Sequence, residues 1–355
     1  MSLIVQPLPP GDLDEVLALT RGSWAEARGQ QFFITGGTGF FGMWLLESFA
    51  RANDVLGLGM RAVVLTRDPA AFARKAPHLA ARGDLVFTAG DVRDFAFPSG
   101  SFPYVIHAAT EASAKLIEEA PHEMLATIVD GTRHVLDFCA QAGVRKFLFT
   151  SSGAVYGRQP AGLVQVGEDY AGAPDPLASG SAYGEGKRVA EHLCVVHARR
   201  HGYEAKIARC FAFVGPHLPL DTHFAIGNFI RDTMAGGPIR IGGDGTPTRS
   251  YLYAGDLAAW LWTLLFRGAA GQALNVGSGE SRSIREIAEQ VRDALAPAVQ
   301  IVVAKAPVPG AAVARYVPDV TRAADQLGLR MTVPLADAVR RTALWYGFQS
   351  RPAKI

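Results

Sequence analysis

Short apolar runs alternate with longer amphipathic segments from residue 31 onward. Three of the longer segments, at 43–52, 122–143 and 181–202, carry apolar residues at helical spacing. Such alternation is typical of a parallel sheet that is covered by helices on both faces. The pattern therefore predicts an α/β fold with a doubly wound parallel sheet. Its six predicted strands are 31–35, 61–66, 84–91, 104–110, 146–152 and 204–215.

The same pattern divides the chain into three parts. Residues 1–30 form an N-terminal extension, with one predicted helix at 12–20 that begins at Asp12 as its N-cap and packs on the main body. Residues 31–215 form the main α/β domain. Beyond residue 216, Pro, Gly and Asp become more frequent and the elements shorten, so 216–355 is predicted to be a smaller region interleaved with that domain.

Composition excludes several classes of protein. The 355 residues are 49% hydrophobic and carry a formal net charge of +2, which excludes a disordered chain and provides no basic surface for nucleic acid. The longest apolar run, 257–266, is too short to cross a bilayer, and the N-terminus lacks the pattern of a secretory signal. The cysteines are isolated, so neither disulfides nor a metal site are predicted. We expect a cytoplasmic protein that binds no membrane or nucleic acid.

A glycine-rich turn, TGGTGFFG at 35–42, lies between the first strand and the first long helix. Gly36 can form the tight turn, Gly39 allows the backbone to approach a pyrophosphate, and Gly42 allows the helix to pack on the sheet. Free amides and the helix dipole favour an anion there. Because the motif has the strand–turn–helix context, it predicts a dinucleotide site of the Rossmann type. The predicted cofactor-binding residues are Gly36, Thr38, Gly39, Phe40, Phe41 and Gly42.

Two further positions are predicted to hold the adenosine half of the dinucleotide. Thr66 stands where NAD-binding proteins place an acid, and Arg67 follows it, which favours NADP. Asp68 remains an alternative partner for the ribose of NAD. Asp91, followed by Val92, comes after the third strand and is predicted to accept from the adenine amino group, the alternative being an Asp that caps a turn.

Tyr183 and Lys187 lie four residues apart on a predicted helix and therefore share one face. An ammonium near a phenol, together with a positively charged nicotinamide, is expected to lower the pKa of Tyr183 towards neutrality. The tyrosine can then exchange a proton with a sugar hydroxyl while hydride passes to the cofactor. Ser152, at the end of the fifth strand, can hydrogen-bond the same hydroxyl.

These motifs together resemble those of the extended short-chain dehydrogenases/reductases, in the branch called the NAD-dependent epimerase/dehydratase family, over about residues 31–345. The resemblance implies a Rossmann-type fold with a smaller C-terminal α/β region for a nucleotide-sugar substrate. It also implies a catalytic triad of Ser152, Tyr183 and Lys187, with the last two also binding the cofactor. The matching motifs are TGGTGFFG (35–42), GDVRD (90–94), VIHAAT (105–110), TSSGAVYG (150–157), YGEGK (183–187) and GDGTPTRSYLY (243–253).

The resemblance assigns further residues to the two ligands. His107, Ala108 and Ala109 would line the cofactor pyrophosphate. Arg249 and Arg315 would contact the diphosphate of the substrate, the alternative for each being an arginine in a surface salt bridge. The remaining candidates for the sugar or base are Thr110, Glu111, Ala212, Asn228 and Phe229, of which Ala212 replaces an Asn that relatives usually carry.

Departures from the family pattern narrow the predicted reaction. Gly153 and Ala154 stand where 4,6-dehydratases place an acidic pair, and neither can move a proton. The same lack of a Glu argues against sugar-acid decarboxylases. An epimerase acting through a transient keto sugar is preferred, with a keto-sugar reductase as the alternative, and a non-catalytic nucleotide sensor is disfavoured because the triad is complete. The cofactor is NAD or NADP.

The resemblance also implies a homodimer, because relatives pair the two helices at 122–142 and 181–200. Both helices carry apolar residues beyond a single stripe, including Leu136, Phe138, Leu193 and Val196. The alternative is that these residues only face the sheet.

Overall fold

The structure, a computed structural model, describes residues 5–110, 118–222 and 224–349. Its strands are β1 (Gln31–Thr35), β2 (Arg61–Thr66), β3 (Leu85–Ala89), β4 (Tyr104–His107), β5 (Lys146–Ser152), β6 (Glu204–Cys210), β7 (Phe213–Val214), β8 (Ile239–Ile241), β9 (Thr248–Arg249), β10 (Leu252–Tyr253), β11 (Gln272–Val276), β12 (Arg282–Ser283), β13 (Ile301–Val303) and β14 (Arg315–Tyr316). Its helices are α1 (Pro10–Thr20), α2 (Phe40–Leu56), α3 (Pro69–Lys75), α4 (Pro77–Ala80), α5 (Pro121–Cys139), α6 (Ala182–His201), α7 (Ala225–Met234), α8 (Ala254–Arg267), α9 (Ile284–Leu295), α10 (Thr321–Leu327) and α11 (Leu335–Trp345).

A seven-stranded sheet forms the centre of the molecule, in the order β11-β6-β5-β4-β1-β2-β3. Neighbouring strands pair in parallel throughout. The buried apolar side chains of these strands divide between two clusters, one containing Phe32 and Ile34 and the other Phe33 and Val105, so helices cover both faces. The predicted doubly wound α/β fold is confirmed.

The strand order reverses beside β1, which determines where a ligand can bind. β1 lies between β4 and β2. From β1 the strands β2 and β3 continue to one edge of the sheet, and β4, β5, β6 and β11 continue to the other edge. In open parallel sheets the crevice outside the carboxyl ends of strands at such a point is the usual ligand site. The glycine-rich turn follows β1 directly and so stands at this crevice.

The C-terminal region is joined to the sheet by its own strands. β11 completes the large sheet beside β6, and β10 pairs with β7. The predicted strand at 204–215 is in fact two short strands, β6 and β7, because the chain changes sheets after Cys210. Three short strands from distant parts of the region form a separate small sheet, β12-β9-β14.

The N-terminal extension packs on the main body as predicted, but Asp12 does not cap its helix. α1 starts with Pro10, and no side chain caps it. Asp12 is buried instead, accepting hydrogen bonds from the hydroxyl of Tyr253 at 2.6 Å and from Arg341 at 2.6 Å. The carboxylate therefore joins the first helix to residues near the other end of the chain.

Candidate functional site

A cavity of about 490 Å³ opens at the carboxyl ends of β1, β2, β3 and β4. Many of the predicted cofactor residues line it: Gly36, Thr38, Gly39, Thr66, Arg67, Asp91, Val92, Ala108 and Ala109. Thr110, a predicted substrate residue, lines it as well. Segments that follow four strands thus converge on one crevice. The structure brings these residues together as the dinucleotide prediction requires.

The glycines of the turn leave no room for side chains at two of three positions. Gly36 has φ +74°, and a Cβ there would lie 2.4 Å from the backbone carbon of Ala108. A Cβ on Gly42 would lie 2.3 Å from the carbonyl oxygen of Gly36, so α2 can approach the turn only with glycine. Gly39 faces open space, with its nearest atom at 3.6 Å, which leaves its backbone accessible. This cradle fits the pyrophosphate of a dinucleotide.

Six of the predicted cofactor residues do not line the cavity: Phe40, Phe41, Gly42, His107, Tyr183 and Lys187. His107 is buried beneath it, with Nδ1 2.7 Å from Thr35 Oγ1 and Nε2 3.1 Å from Thr132 Oγ1. Burial, followed by the charge of Lys187, lowers the pKa of His107 to about 3, so its ring is neutral. Phe40 and Phe41 pack on the core, because the first turn of α2 directs them there, and Phe41 meets Phe213 edge-on at 5.1 Å.

At the adenosine end the structure corrects one alternative and adds one residue. Asp68 caps α3, accepting from the amide of Ala71 at 2.8 Å, and does not line the cavity. Asp91 does line it, and its Oδ1 accepts from Nε of Arg93 at 2.8 Å, which is the first cause of its lowered pKa. Arg93 also lines the cavity. The GDVRD motif contained this signal, but the sequence prediction considered only its first acid.

The catalytic candidates meet where β5 and α6 approach each other. Ser152 ends β5, and its Oγ accepts from the amide of Ala154 at 3.1 Å. Lys187 Nζ donates to Thr110 Oγ1 and to the carbonyl oxygen of Thr150, both at 2.8 Å. It also lies 5.9 Å from the ring centre of Tyr183. Thr110 thus both lies at the cavity wall and contacts Lys187.

Burial is the largest influence of the protein groups on the pKa values in this cluster. Burial raises the pKa of Tyr183 to about 12, although its hydrogen bond with Ser152 acts in the lowering direction. Burial also lowers the pKa of Lys187 to about 8, since the charged form is desolvated. The protein groups alone therefore keep the phenol protonated at neutral pH, and Lys187 does not by itself bring it to neutrality.

An ion-pair network missed by the sequence prediction supports the catalytic helix from behind. Glu191, one turn after Lys187, accepts from Ser151 Oγ at 2.5 Å and from Arg209 Nη2 at 2.7 Å. Arg209 also donates to the hydroxyl of Tyr156 at 2.9 Å. The network connects α6 to β5 and β6, and the only sequence signal for it was the spacing of Lys187 and Glu191.

The small sheet brings two more side chains to the catalytic centre. The hydroxyl of Tyr316 lies 3.4 Å from Ser152 Oγ, and the guanidinium of Arg249 lies 6.0 Å from the ring of Tyr316. Tyr316 pairs with Arg249, whereas Arg315 pairs with Thr248. Because successive strand residues face opposite sides, Arg315 does not converge with Arg249 on the site. The sequence predicted Arg315 at the site, whereas its neighbour Tyr316 is the residue that reaches Ser152.

Residues 32–277 match the model of the NAD dependent epimerase/dehydratase family. The chain belongs to this family. UDP-glucuronic acid decarboxylase 1 of Arabidopsis thaliana is 30% identical over 308 residues, which is 87% of this chain and 68% of that protein. UDP-glucuronic acid decarboxylase 6 of the same plant is 34% identical over 197 residues, and this match spans 56% of each chain.

Solved structures of the family share the fold. A double mutant of DesIV, the dTDP-glucose 4,6-dehydratase of Streptomyces venezuelae, with NAD and DAU bound, aligns with a TM-score of 0.74 at 25% identity and covers 89% of this chain and 96% of its own. The UDP-glucose 4-epimerase of Thermotoga maritima, with UDP-glucose, gives a TM-score of 0.73 at 22% identity over 90% and 99% of the two chains.

The other predicted substrate residues of this family member do not lie together at one site. Phe229 is 3% exposed and belongs to the core, because α7 turns that face inward. Asn228 accepts from Arg231 Nη1 at 3.1 Å within α7, and Ala212 lies partly buried between β6 and β7. Glu111 lies outside the described residues. The candidate substrate side chains that the structure brings near Ser152 are therefore Thr110 and Arg249.

Close packing surrounds Gly153, one of the two residues that stand where 4,6-dehydratases are expected to carry an acidic pair. A Cβ on Gly153 would lie 2.7 Å from the ring of Phe211, so an Asp there would require Phe211 to move. Gly153 and Ala154 begin a short 3-10 helix that continues to Tyr156.

Neither a membrane-spanning helix nor a group of metal ligands is found among the described residues. None of the helices in that part of the chain is both long and apolar enough to span a membrane. No group of three or more His, Cys, Asp or Glu side chains in the same residues could hold a metal ion.

Proposed function

We propose that the protein is a nucleotide-sugar epimerase that acts through a transient keto sugar. The observation that carries the proposal is the assembly of Ser152, Tyr183 and Lys187 beside the glycine cradle, with Gly153 and Ala154 where an acidic pair would be needed for water elimination. Reversible oxidation of a sugar carbon needs the triad for the proton and a nicotinamide dinucleotide for the hydride, whereas elimination needs an additional acid and base.

Each triad residue has a definite task. The glycine turn at 36–42 would hold the pyrophosphate of a nicotinamide dinucleotide, which would supply reversible hydride transfer at the sugar carbon. Tyr183 removes the proton of the sugar hydroxyl and gives it back, while Ser152 hydrogen-bonds the same oxygen. Lys187 holds a positive charge beside the phenol and is itself fixed by Thr110 and Thr150. Because burial raises the pKa of Tyr183, further positive charge at the nicotinamide is needed to form the phenolate.

A keto-sugar reductase that consumes NADPH is the second candidate. Thr66 supplies no carboxylate for a ribose, and Arg67 and Arg93 both line the adenosine end of the cavity. Such arginines suit the 2′-phosphate of NADP. Asp91 and Glu123 compete for Arg93, however, with contacts of 2.8 Å and 3.3 Å, so the epimerase with NAD is preferred.

Similarity to decarboxylases does not extend to the residues expected of them. Decarboxylation of a sugar acid in this family is predicted to need a Glu at the position of Ala154. The amide of Ala154 donates a hydrogen bond to Ser152, so Ala154 lies near the site but provides no acidic group. We therefore propose that decarboxylation is not the reaction of this chain.

We also propose that the protein is a homodimer through the outer faces of α5 and α6. Leu136 and Phe138 are buried within the chain and cannot serve, which corrects that part of the prediction. Leu125 on α5 and Val189 and Val196 on α6 are 38%, 43% and 50% exposed and can be covered by a second copy. Sedimentation of the full chain and of a Val189→Glu, Val196→Glu variant tests this.

The first experiment identifies the dinucleotide that copurifies and then assays the protein against UDP, dTDP, GDP and CDP sugars. Retained NAD together with interconversion of two nucleotide sugars without net oxidation supports the epimerase. Stoichiometric loss of NADPH with a 4-keto sugar, and no interconversion, replaces it with the reductase. The Tyr183→Phe variant is the control for activity from contaminating enzymes.

A further inference from the structure

A row of side chains runs outward from the catalytic centre across the sheet β12-β9-β14. Tyr316 pairs directly with Arg249, and Arg249 pairs directly with Arg282. Directly paired residues project from the same face of a sheet. Since the hydroxyl of Tyr316 lies 3.4 Å from Ser152 Oγ, the row leads from the reacting end of the site through Arg249 to Arg282.

The two arginines of this row are arranged unfavourably for a protein without a bound anion. Like charges at directly opposed positions destabilise a sheet. Arg249 Nη1 donates to the carbonyl oxygen of Thr248 at 2.8 Å, and within the described residues it forms no ion pair. Arg282 Nη2 contacts Glu280 at 3.0 Å in an exposed pair, which leaves most of the repulsion in place.

Arg282 also carries a buried donor that is not satisfied. Its Nε is inaccessible to solvent and has no hydrogen-bond partner among the described residues. Buried polar groups in folded proteins are nearly always hydrogen-bonded, and an unsatisfied one calls for an explanation, such as a water or an ion that binds there. This observation is independent of the charge argument, and an anion oxygen that reaches Nε would satisfy it.

We propose that Arg282 binds the diphosphate of the nucleotide sugar together with Arg249. The identity of the ligand rests on the proposed function. Phosphate oxygens between the two guanidinium groups would remove the repulsion and accept the hydrogen bond of Nε, and the fork of an arginine matches phosphate geometry. A sugar attached to this diphosphate extends along the row towards Tyr316 and Ser152. Neither a sequence motif nor the resemblance to the family assigned Arg282 any role.

The test measures binding of nucleotides that differ only in phosphates. Titration calorimetry with UDP, dTDP, GDP and CDP first identifies the preferred diphosphate, and its monophosphate and free nucleoside follow. We expect Arg282→Gln to weaken the diphosphate by about tenfold and leave the nucleoside unchanged, since a charge-assisted hydrogen bond is lost. Arg282→Lys keeps the charge without the fork and loses less. Arg285→Gln, an exposed arginine paired with Glu289, is the matched control.

Thermal unfolding without ligand separates binding from a structural role. If Arg282 only supported the sheet, Arg282→Gln would lower Tm, whereas relief of like-charge repulsion keeps Tm unchanged or raises it. Equal diphosphate affinity of Arg282→Gln and the unchanged protein overturns the assignment and leaves the epimerase proposal intact. Weakened affinity without conversion of any nucleotide sugar supports the assignment and overturns the reaction. If the unchanged protein binds none of the four diphosphates, both the assignment of Arg282 and the epimerase proposal are overturned.

Discussion

Removing the Glu191 carboxylate is expected to destabilise the protein far more than removing a surface acid. Glu191 and Arg209 have side chains that are 13% and 18% exposed, and Arg209 Nε and Nη2 both donate to the carboxylate. Breaking such a pair leaves the guanidinium charge uncompensated, which costs about 3–5 kcal/mol. Arg209 keeps its bonds to Tyr156 and to the carbonyl oxygen of Glu168, so the lower end applies.

We therefore expect Glu191→Gln to lower the free energy of unfolding by about 3 kcal/mol. Equilibrium urea unfolding measures it, with Glu185→Gln as the matched control on the same helix. Glu185 pairs with Arg188 at 3.9 Å, and their side chains are 30% and 41% exposed. Such pairs contribute about 0–1 kcal/mol. Combining Glu191→Leu with Arg209→Met should recover most of the loss, because no buried charge remains.

Two results would refute this reasoning. A loss below about 1 kcal/mol for Glu191→Gln would place the pair in the class of solvated surface contacts. Strictly additive losses in the double variant would show that the two side chains do not interact energetically, whatever their distance.

Three further changes have outcomes that the structure fixes. Tyr183→Phe should lower kcat by about 10²–10⁴-fold with substrate affinity nearly kept, measured by steady-state kinetics, and unchanged kcat would remove Tyr183 from proton transfer. Gly36→Ala should abolish cofactor binding in a fluorescence titration. Gly57→Ala, at φ +58° with no atom within 4 Å of a Cβ, should cost only a strain of about 1–2 kcal/mol in stability and leave cofactor binding intact. Equal effects of the two variants on cofactor binding would contradict the clash at Gly36. The pKa of His107 is lowered to about 3, so the unfolded state binds the extra proton and stability should fall as pH falls from about 6.5 to 3, by up to about 1.4 kcal/mol per unit. His107→Gln should flatten that slope in unfolding measured across pH.

The parts that the sequence predicts well are those with local, periodic signals. β1, β2 and β5 occupy the predicted residues because each is a continuous apolar run. Tyr183 and Lys187 share a face because their spacing is that of one helical turn, and the glycine turn is recognisable from its own segment. Local spacing is sufficient for these features.

The features that the sequence missed depend on contacts between distant residues. β9 and β14 are two residues long, and nothing in their composition shows that Thr248 pairs with Arg315. That pairing decides which of Arg315 and Tyr316 enters the site. The cap predicted at Asp12 failed for a similar reason, because a long-range partner, Arg341, competes with the local role.

The bond between Asp12 and Arg341 also bears on how the chain folds during synthesis. The two residues are 329 positions apart, so on the order of tens of seconds separate their appearance from the ribosome. Throughout that interval α1 lacks the cation that compensates its inward-facing carboxylate, and α8, on which it packs, is also unmade for most of the time. We therefore expect α1 to dock late, and nascent chains truncated before residue 341 should leave it open to proteases.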